Sequence, residues 1–165
     1  MSNPYATSSS RPSNPSVSGQ NIASAGKRIG GRLIDGLIVG IIGYILVASI
    51  AIKDGKVQTG KLVIASILGL VLSFVYEVPM VAATGQTLGK RLVGTRVVRL
   101  ADGEVPGMSV SVTRWLPALV GIIPLLNLAR LLGAAIGIGS LILLFTDPRR
   151  QTVNDKFAKT VVVIA

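Results

Sequence analysis

The run from Leu33 to Ile52 carries one charged side chain, Asp35, and a second apolar run extends from Leu62 to about Ala83. A helix of about 20 apolar residues matches the ~30 Å hydrocarbon core of a bilayer, so each run is expected to cross a membrane. The polar Lys53 to Lys61 segment between them is short enough to make the two a hairpin. A third stretch, Trp115 to Phe145, is apolar apart from Asn127 and Arg130. It is too long for one ordinary span and short for two helices plus a turn. Pro117, Pro124 and the Asn127 to Arg130 break favour two short or tilted helices, about 115–127 and 130–146, or a re-entrant segment followed by one span.

The overall balance agrees with a lipid environment. The chain is 50% hydrophobic but 15% charged, with a mean hydropathy of +0.65, whereas soluble domains are nearer a quarter charged. The expected fold is an all-α membrane protein: a polytopic bundle of about four transmembrane or hairpin helices, with a small cytoplasmic β element and a disordered N-terminal tail. Residues 1–25 are rich in Ser, Pro and Asn and form that tail; residues 26–165 form the membrane domain. Its spans are about 33–52, 62–83, 115–127 and 130–146, with a cytoplasmic basic loop over 84–114 and a cytoplasmic C-terminal segment over 147–165.

Within the loop, Thr95 to Leu100 alternates in polarity and is followed by the turn-like Ala101, Asp102 and Gly103, which predicts a strand. The β-branched run Thr160 to Ile164 is its expected partner in a small sheet at the membrane surface. Placing the tail, the loop and the C-terminus inside collects thirteen of the 17 basic residues and leaves Lys53, Lys56, Lys61 and Arg130 outside. The positive-inside rule therefore predicts a multi-pass protein of the cell membrane with both termini cytoplasmic and an even number of crossings.

Composition also removes most chemistry. The chain has no Cys and no His, which excludes disulfides, thiolate nucleophiles, typical zinc sites and Ser-His-Asp triads. No enzyme activity, metal or cofactor is expected. The segment from Gly85 to Arg91 has a superficial likeness to a phosphate-binding loop but lacks its spacing and the Ser or Thr after Lys. A net charge of +10 with 4% aromatic residues does not suit nucleic acid, because little surface is available to stack bases. The expected partners are the bilayer, anionic lipid, and a second copy or a larger membrane complex.

The charged residues close to the apolar runs are the candidate site. Arg28, Arg32 and Asp35 fall at i, i+4 and i+7, on one helical face. A carboxylate a turn inside lipid needs a partner, so Asp35 is expected either to pair and fix the start of the helix or to bind an ion or proton. Glu77, with Pro79 beside it, stands near the end of the second run and carries the same two alternatives. Gly36, Gly40 and Gly43 extend the Asp35 face, and the small-xxx-small spacing allows close helix packing. Lys90, Arg91, Arg96, Arg99, Arg149 and Arg150 form basic clusters suited to lipid headgroups or a partner. Thr152 followed three residues later by Asp155 has the pattern of a helix cap.

Arg32 with Asp35, the stretch TGQTLGKRLVGTRVV (Thr84 to Val98), Arg114 before the third apolar run, and PRRQTVNDKFAKTVVV (Pro148 to Val163) together resemble the RDD family of membrane proteins. The family is named for one arginine and two aspartates, which map by position onto Arg32, Asp35 and Asp155. The resemblance covers nearly everything after the tail. Asn154 departs from it, standing where many relatives have histidine, and Lys159 stands where glycine is usual. The resemblance implies a membrane protein of undefined molecular activity, with transport-related functions, including sodium/proton antiport, proposed for some members. The expected function is a transport-related component in which Arg32, Asp35, Glu77 and Asp155 serve an ion- or proton-binding site. The alternative is a non-catalytic scaffold or accessory subunit binding anionic lipid or a partner through its basic cytoplasmic face.

Overall fold

The computed structural model describes residues 16–53, 56–120 and 127–165. The elements in order are β1 (Ser16–Val17), β2 (Gln20–Asn21), α1 (Ala25–Ala51), β3 (Ile52–Lys53), β4 (Lys56–Val57), α2 (Thr59–Thr84), α3 (Leu88–Leu92), β5 (Thr95–Arg99), α4 (Gly107–Val120), α5 (Asn127–Thr146), α6 (Val153–Phe157) and β6 (Thr160–Ile164). The chain is mostly helical. α1 packs on α2, α2 on α4, and α5 on α4 and α6.

α1 and α2 are long and apolar enough to cross a bilayer. Their most apolar windows are only 6% and 11% buried within the fold, unlike the core helices of a soluble domain. Leu37 is 64% exposed and Tyr44 71%, so the outer faces of the hairpin present hydrocarbon to their surroundings. This pattern suggests membrane insertion. α5 has a shorter apolar part, Leu131–Thr146, and α4 has 14 residues. The expected stretch from Trp115 to Phe145 takes in the end of α4 and nearly all of α5; residues 121–126 between them, including Pro124, lie outside the described residues.

Helix ends differ from the sequence reading at several points: α5 begins at Asn127, so Asn127 to Arg130 are helical and not the expected break, and the expected 84–114 loop contains α3. α1 begins at Ala25, two turns before Leu33, because Ser24 caps it by accepting a hydrogen bond from the Lys27 amide. α4 begins at Gly107, so part of the expected 84–114 loop is helix and Arg114 lies in the helix interior. The alternating, β-branched Met108 to Thr113 masks a helix whose period shows only once it packs on α2. Phe74 and Trp115 meet edge to face at 5.1 Å across that contact.

β5 and β6 pair antiparallel over their whole length, with Val97 opposite Val162 and Val98 opposite Val161. The expected sheet forms, and both faces are covered. Val97 and Val162 pack with Val81 of α2 and Ala23; Val98, Val161 and Val163 pack with Ile22, Val17 and Leu100. Double coverage explains why β6 is a continuous β-branched run without strong alternation.

The same contacts correct the expected tail over residues 16–25. Ile22 and Ala23 are both 0% exposed, Ile22 bridges to Val163, and the Ala23 amide donates to the Val162 carbonyl at 3.0 Å. Residues 16–25 are thus an ordered hairpin and edge of the sheet core. Polar composition concealed this because two apolar side chains suffice to dock the segment. Residues 1–15 of the expected tail lie outside the described residues.

Candidate functional site

Where the first turns of α1 and the end of α2 meet the sheet, α3, α4 and α6 bring charged side chains together. Asp35 projects from α1 toward the turn that follows α2. Its Oδ1 accepts from the Tyr76 hydroxyl at 2.7 Å and the Gly89 amide at 2.8 Å. Its Oδ2 accepts from the Thr87 hydroxyl at 2.5 Å and Lys90 Nζ at 3.3 Å. Four donors match the acceptor capacity of a carboxylate. The sequence placed Asp35 on a face with Arg28 and Arg32, but each of those arginines reaches a different acid.

The turn that supplies these donors is legible residue by residue. Gly85 ends α2 in the left-handed region at φ 71°, where a Cβ would come within 2.5 Å of the Val97 carbonyl oxygen. The Gln86 side chain donates to the Thr95 carbonyl at 2.9 Å. Thr87 caps α3 through its hydroxyl oxygen while donating its proton to Asp35. Gly89 lets α3 approach α1: a Cβ there would collide with the Gly31 carbonyl and lie 2.7 Å from Asp35 Oδ1. Close helix approach is thus made at Gly31 and Gly89. At Gly36, Gly40 and Gly43, where it was expected, an added Cβ would meet nothing within 4 Å.

The second half of the network centres on Arg114. Its Nη1 donates to Glu77 Oε1 at 2.9 Å and its Nε to Asp155 Oδ1 at 3.0 Å, linking α2 to α6. Arg32 lies 3.5 Å from the same Glu77 oxygen. Arg28 pairs with Asp155 Oδ2 and donates to the Arg150 carbonyl. Asp155 also accepts from the Thr152 amide at 3.0 Å and the Thr152 hydroxyl at 2.8 Å, completing a capping box at the start of α6. Asn154 donates to the Arg114 carbonyl at 3.0 Å.

Asp155 is 0% exposed. Burial alone would raise its pKa, but the Arg114 and Arg28 guanidiniums and the Thr152 donors outweigh it and hold the carboxyl well below its ordinary value. Lys90 is buried as well; desolvation lowers its pKa, and Glu77 and Asp35 only partly oppose the shift.

Lys90 is therefore inside the network and not on a basic surface, because its ammonium must neutralise Asp35. Arg91 and Arg149 are exposed, Arg96 and Arg99 half-buried, and Arg99 pairs with Asp102 at 2.8 Å. Arg150 is half-buried, contributes its carbonyl to Arg28, and adopts a φ of 50°. Tyr76 and Thr87 escaped the sequence reading, as did the joining role of Arg114 and Arg28. Thr87, a hydroxyl residue directly before Leu88, had the residue type of a helix cap; Tyr76 and the joining arginines carried no such local signal.

Two cavities adjoin the network. One of about 290 Å³ between α1 and α2 is lined by Asp35, Tyr76 and Glu77 together with Gly36 and Gly40. The other, about 680 Å³, lies between α1, α4 and α5. Among the described residues no cluster of acidic side chains has the arrangement of a metal site.

The fold and the network define a small helical domain with a hydrophobic hairpin, capped at one polar end by a sheet and a set of interlocked charges. The chain belongs to the RDD family, whose profile matches residues 22–159. No curated protein and no solved structure matches it.

Proposed function

We infer that this RDD domain is a membrane-embedded scaffold or accessory subunit without catalytic chemistry of its own. The observation carrying this reading is the engagement of all three candidate carboxylates by cations from other elements. Asp35 and Asp155 each accept four hydrogen bonds, so a transported cation would have to displace existing donors. The exposed Arg91 and Arg149 supply a basic face for anionic lipid or an acidic partner. The open positions at Gly36, Gly40 and Gly43 admit a second copy or a partner helix.

The topology proposed with it has both termini in the cytoplasm and four crossings. Residues 22–23 and β6 lie side by side, so the N-terminal segment and the C-terminus share one side of any bilayer that α1 and α2 cross. That arrangement supports an even number of crossings. The basic residues gathered at this end support its cytoplasmic placement.

A second reading, cation or proton transport, is favoured by one feature. Glu77 lines the 290 Å³ cavity beside Asp35, and both cation contacts to it fall on Oε1. Proteoliposomes separate the two. Imposing a sodium or potassium gradient on purified protein is expected to give no cation-dependent pH change. A signal lost in Glu77→Gln, with insertion unchanged, would establish transport in place of the scaffold.

A further inference from the structure

The larger cavity has a polarity that neither reading uses. Arg28, Arg32, Lys90 and Arg114 line it, and no Asp or Glu is among the described residues of its wall. The three carboxylates that pair with these cations lie outside that wall. Four cations against three carboxylates leave one net positive charge, and the nearby Lys156 and Asp147 cancel as a pair. Arg28, Lys90 and Arg114 are each less than a tenth exposed. The carboxylates already occupy Arg28 Nη2, Lys90 Nζ and two nitrogens of Arg114, so an anion would meet the remaining N–H groups of these side chains and the exposed Arg32, and the one net positive charge favours it over a cation.

The rest of the wall is hydrocarbon. Ile29, Leu33 and Pro117 face Ile136, Leu141 and Leu144 across the space. Ser140 marks the polar end, since its hydroxyl accepts from the Val153 amide at 3.2 Å. Gly133, also in the wall, lies seven residues earlier on α5, about 10 Å away along the helix. The cavity therefore grades from guanidinium groups at the sheet end to bare apolar helix toward the proposed membrane interior. Its volume of about 680 Å³ falls in the roughly 300–1,000 Å³ range of small-molecule sites.

We propose that this cavity binds an anionic phospholipid, holding the headgroup phosphate among Arg28, Arg32, Lys90 and Arg114 and the first part of an acyl chain against α5. Thr152 and Asn154, which also line the polar end, supply further hydrogen-bonding groups to the headgroup. The site opens beside the exposed Leu33 and Leu141, is distinct from the exposed Arg91 and Arg149 face, and stands whether the protein is a scaffold or a transporter. A phosphate anion alone shares the headgroup chemistry but leaves the apolar half of the cavity empty.

The test is native mass spectrometry of the delipidated full-length protein in detergent. It is titrated separately with phosphatidylglycerol, phosphatidylcholine and inorganic phosphate. Two variants keep it independent of folding. Arg32→Gln removes a half-paired, solvent-facing cation while Glu77 retains Arg114. Gly137→Leu fills the cavity from a wall position where a Cβ meets nothing within 4 Å.

The expected result is one phosphatidylglycerol bound about tenfold more tightly than phosphatidylcholine, with each variant weakening it about tenfold. Both variants should melt within about 2 °C of the native protein in lipid-free detergent, since neither breaks a buried pair. Equal binding of the two lipids would overturn the proposal, as would unchanged phosphatidylglycerol binding in Gly137→Leu. Inorganic phosphate binding as tightly as phosphatidylglycerol would overturn the lipid and identify a soluble anion site.

Discussion

Arg114 reaches two carboxylates from different elements with separate nitrogens of one planar group, which a lysine could not reproduce. Asp155 gathers two arginines and its own helix cap, so one side chain starts α6 and ties it to α1 and α4. Lys159 shows the opposite economy. It stands at φ 52°, in the left-handed region, directly before β6. The conformation explains why glycine suits this position, since a Cβ there costs roughly 1–2 kcal/mol. Lys159→Gly is expected to raise stability by less than about 1 kcal/mol, because greater freedom of the unfolded chain offsets most of the relief. A lower melting temperature for the glycine variant would show that the lysine side chain contributes an interaction outweighing that strain.

At the scale of elements, the β5–β6 sheet is the joint on which the termini converge. Ile22 sits against Val98, Val161 and Val163, and Ile22→Ala is expected to cost about 2–5 kcal/mol with cleavage after residue 16 becoming faster under limited proteolysis. Native-like resistance would show that the segment docks by backbone pairing alone. The two strands were legible in the sequence from β-branched runs and a following turn, and the hairpin from its apolar length. The Thr152 to Asp155 cap was legible from local spacing. The pairing of Asp35 with Lys90 was not, because the two are distant in sequence and meet only when Gly89 lets α3 press on Gly31. The start of α4 was hidden for a related reason: Met108 to Thr113 alternates like a strand, and packing against α2 decides its conformation.

For the whole molecule, the proposed topology predicts a labelling pattern. The chain has no native Cys, so single cysteines at Lys56, in the α1–α2 connection, and at Arg149, beyond α5, report cleanly. In intact cells an impermeant maleimide is expected to reach position 56 and not 149. Labelling of 149 alone would invert the orientation, and labelling of both would contradict a shared cytoplasmic end.

The charges at that end lock the sheet and α6 onto the helices. Removing one member of a buried pair leaves its partner unpaired, at a cost of about 3–5 kcal/mol. The folded pKa of Asp155 is held below its ordinary value of 3.8, so its stabilisation is present above that value and is lost as pH falls toward the lower, folded value. The direct measurement is reversible unfolding of the native protein and Asp155→Asn in detergent from pH 7 to pH 3. A locking role for these charges predicts a variant about 3–5 kcal/mol less stable at pH 7, with the gap narrowing below about pH 4. Equal stability at pH 7, or a gap that does not change with pH, would contradict it.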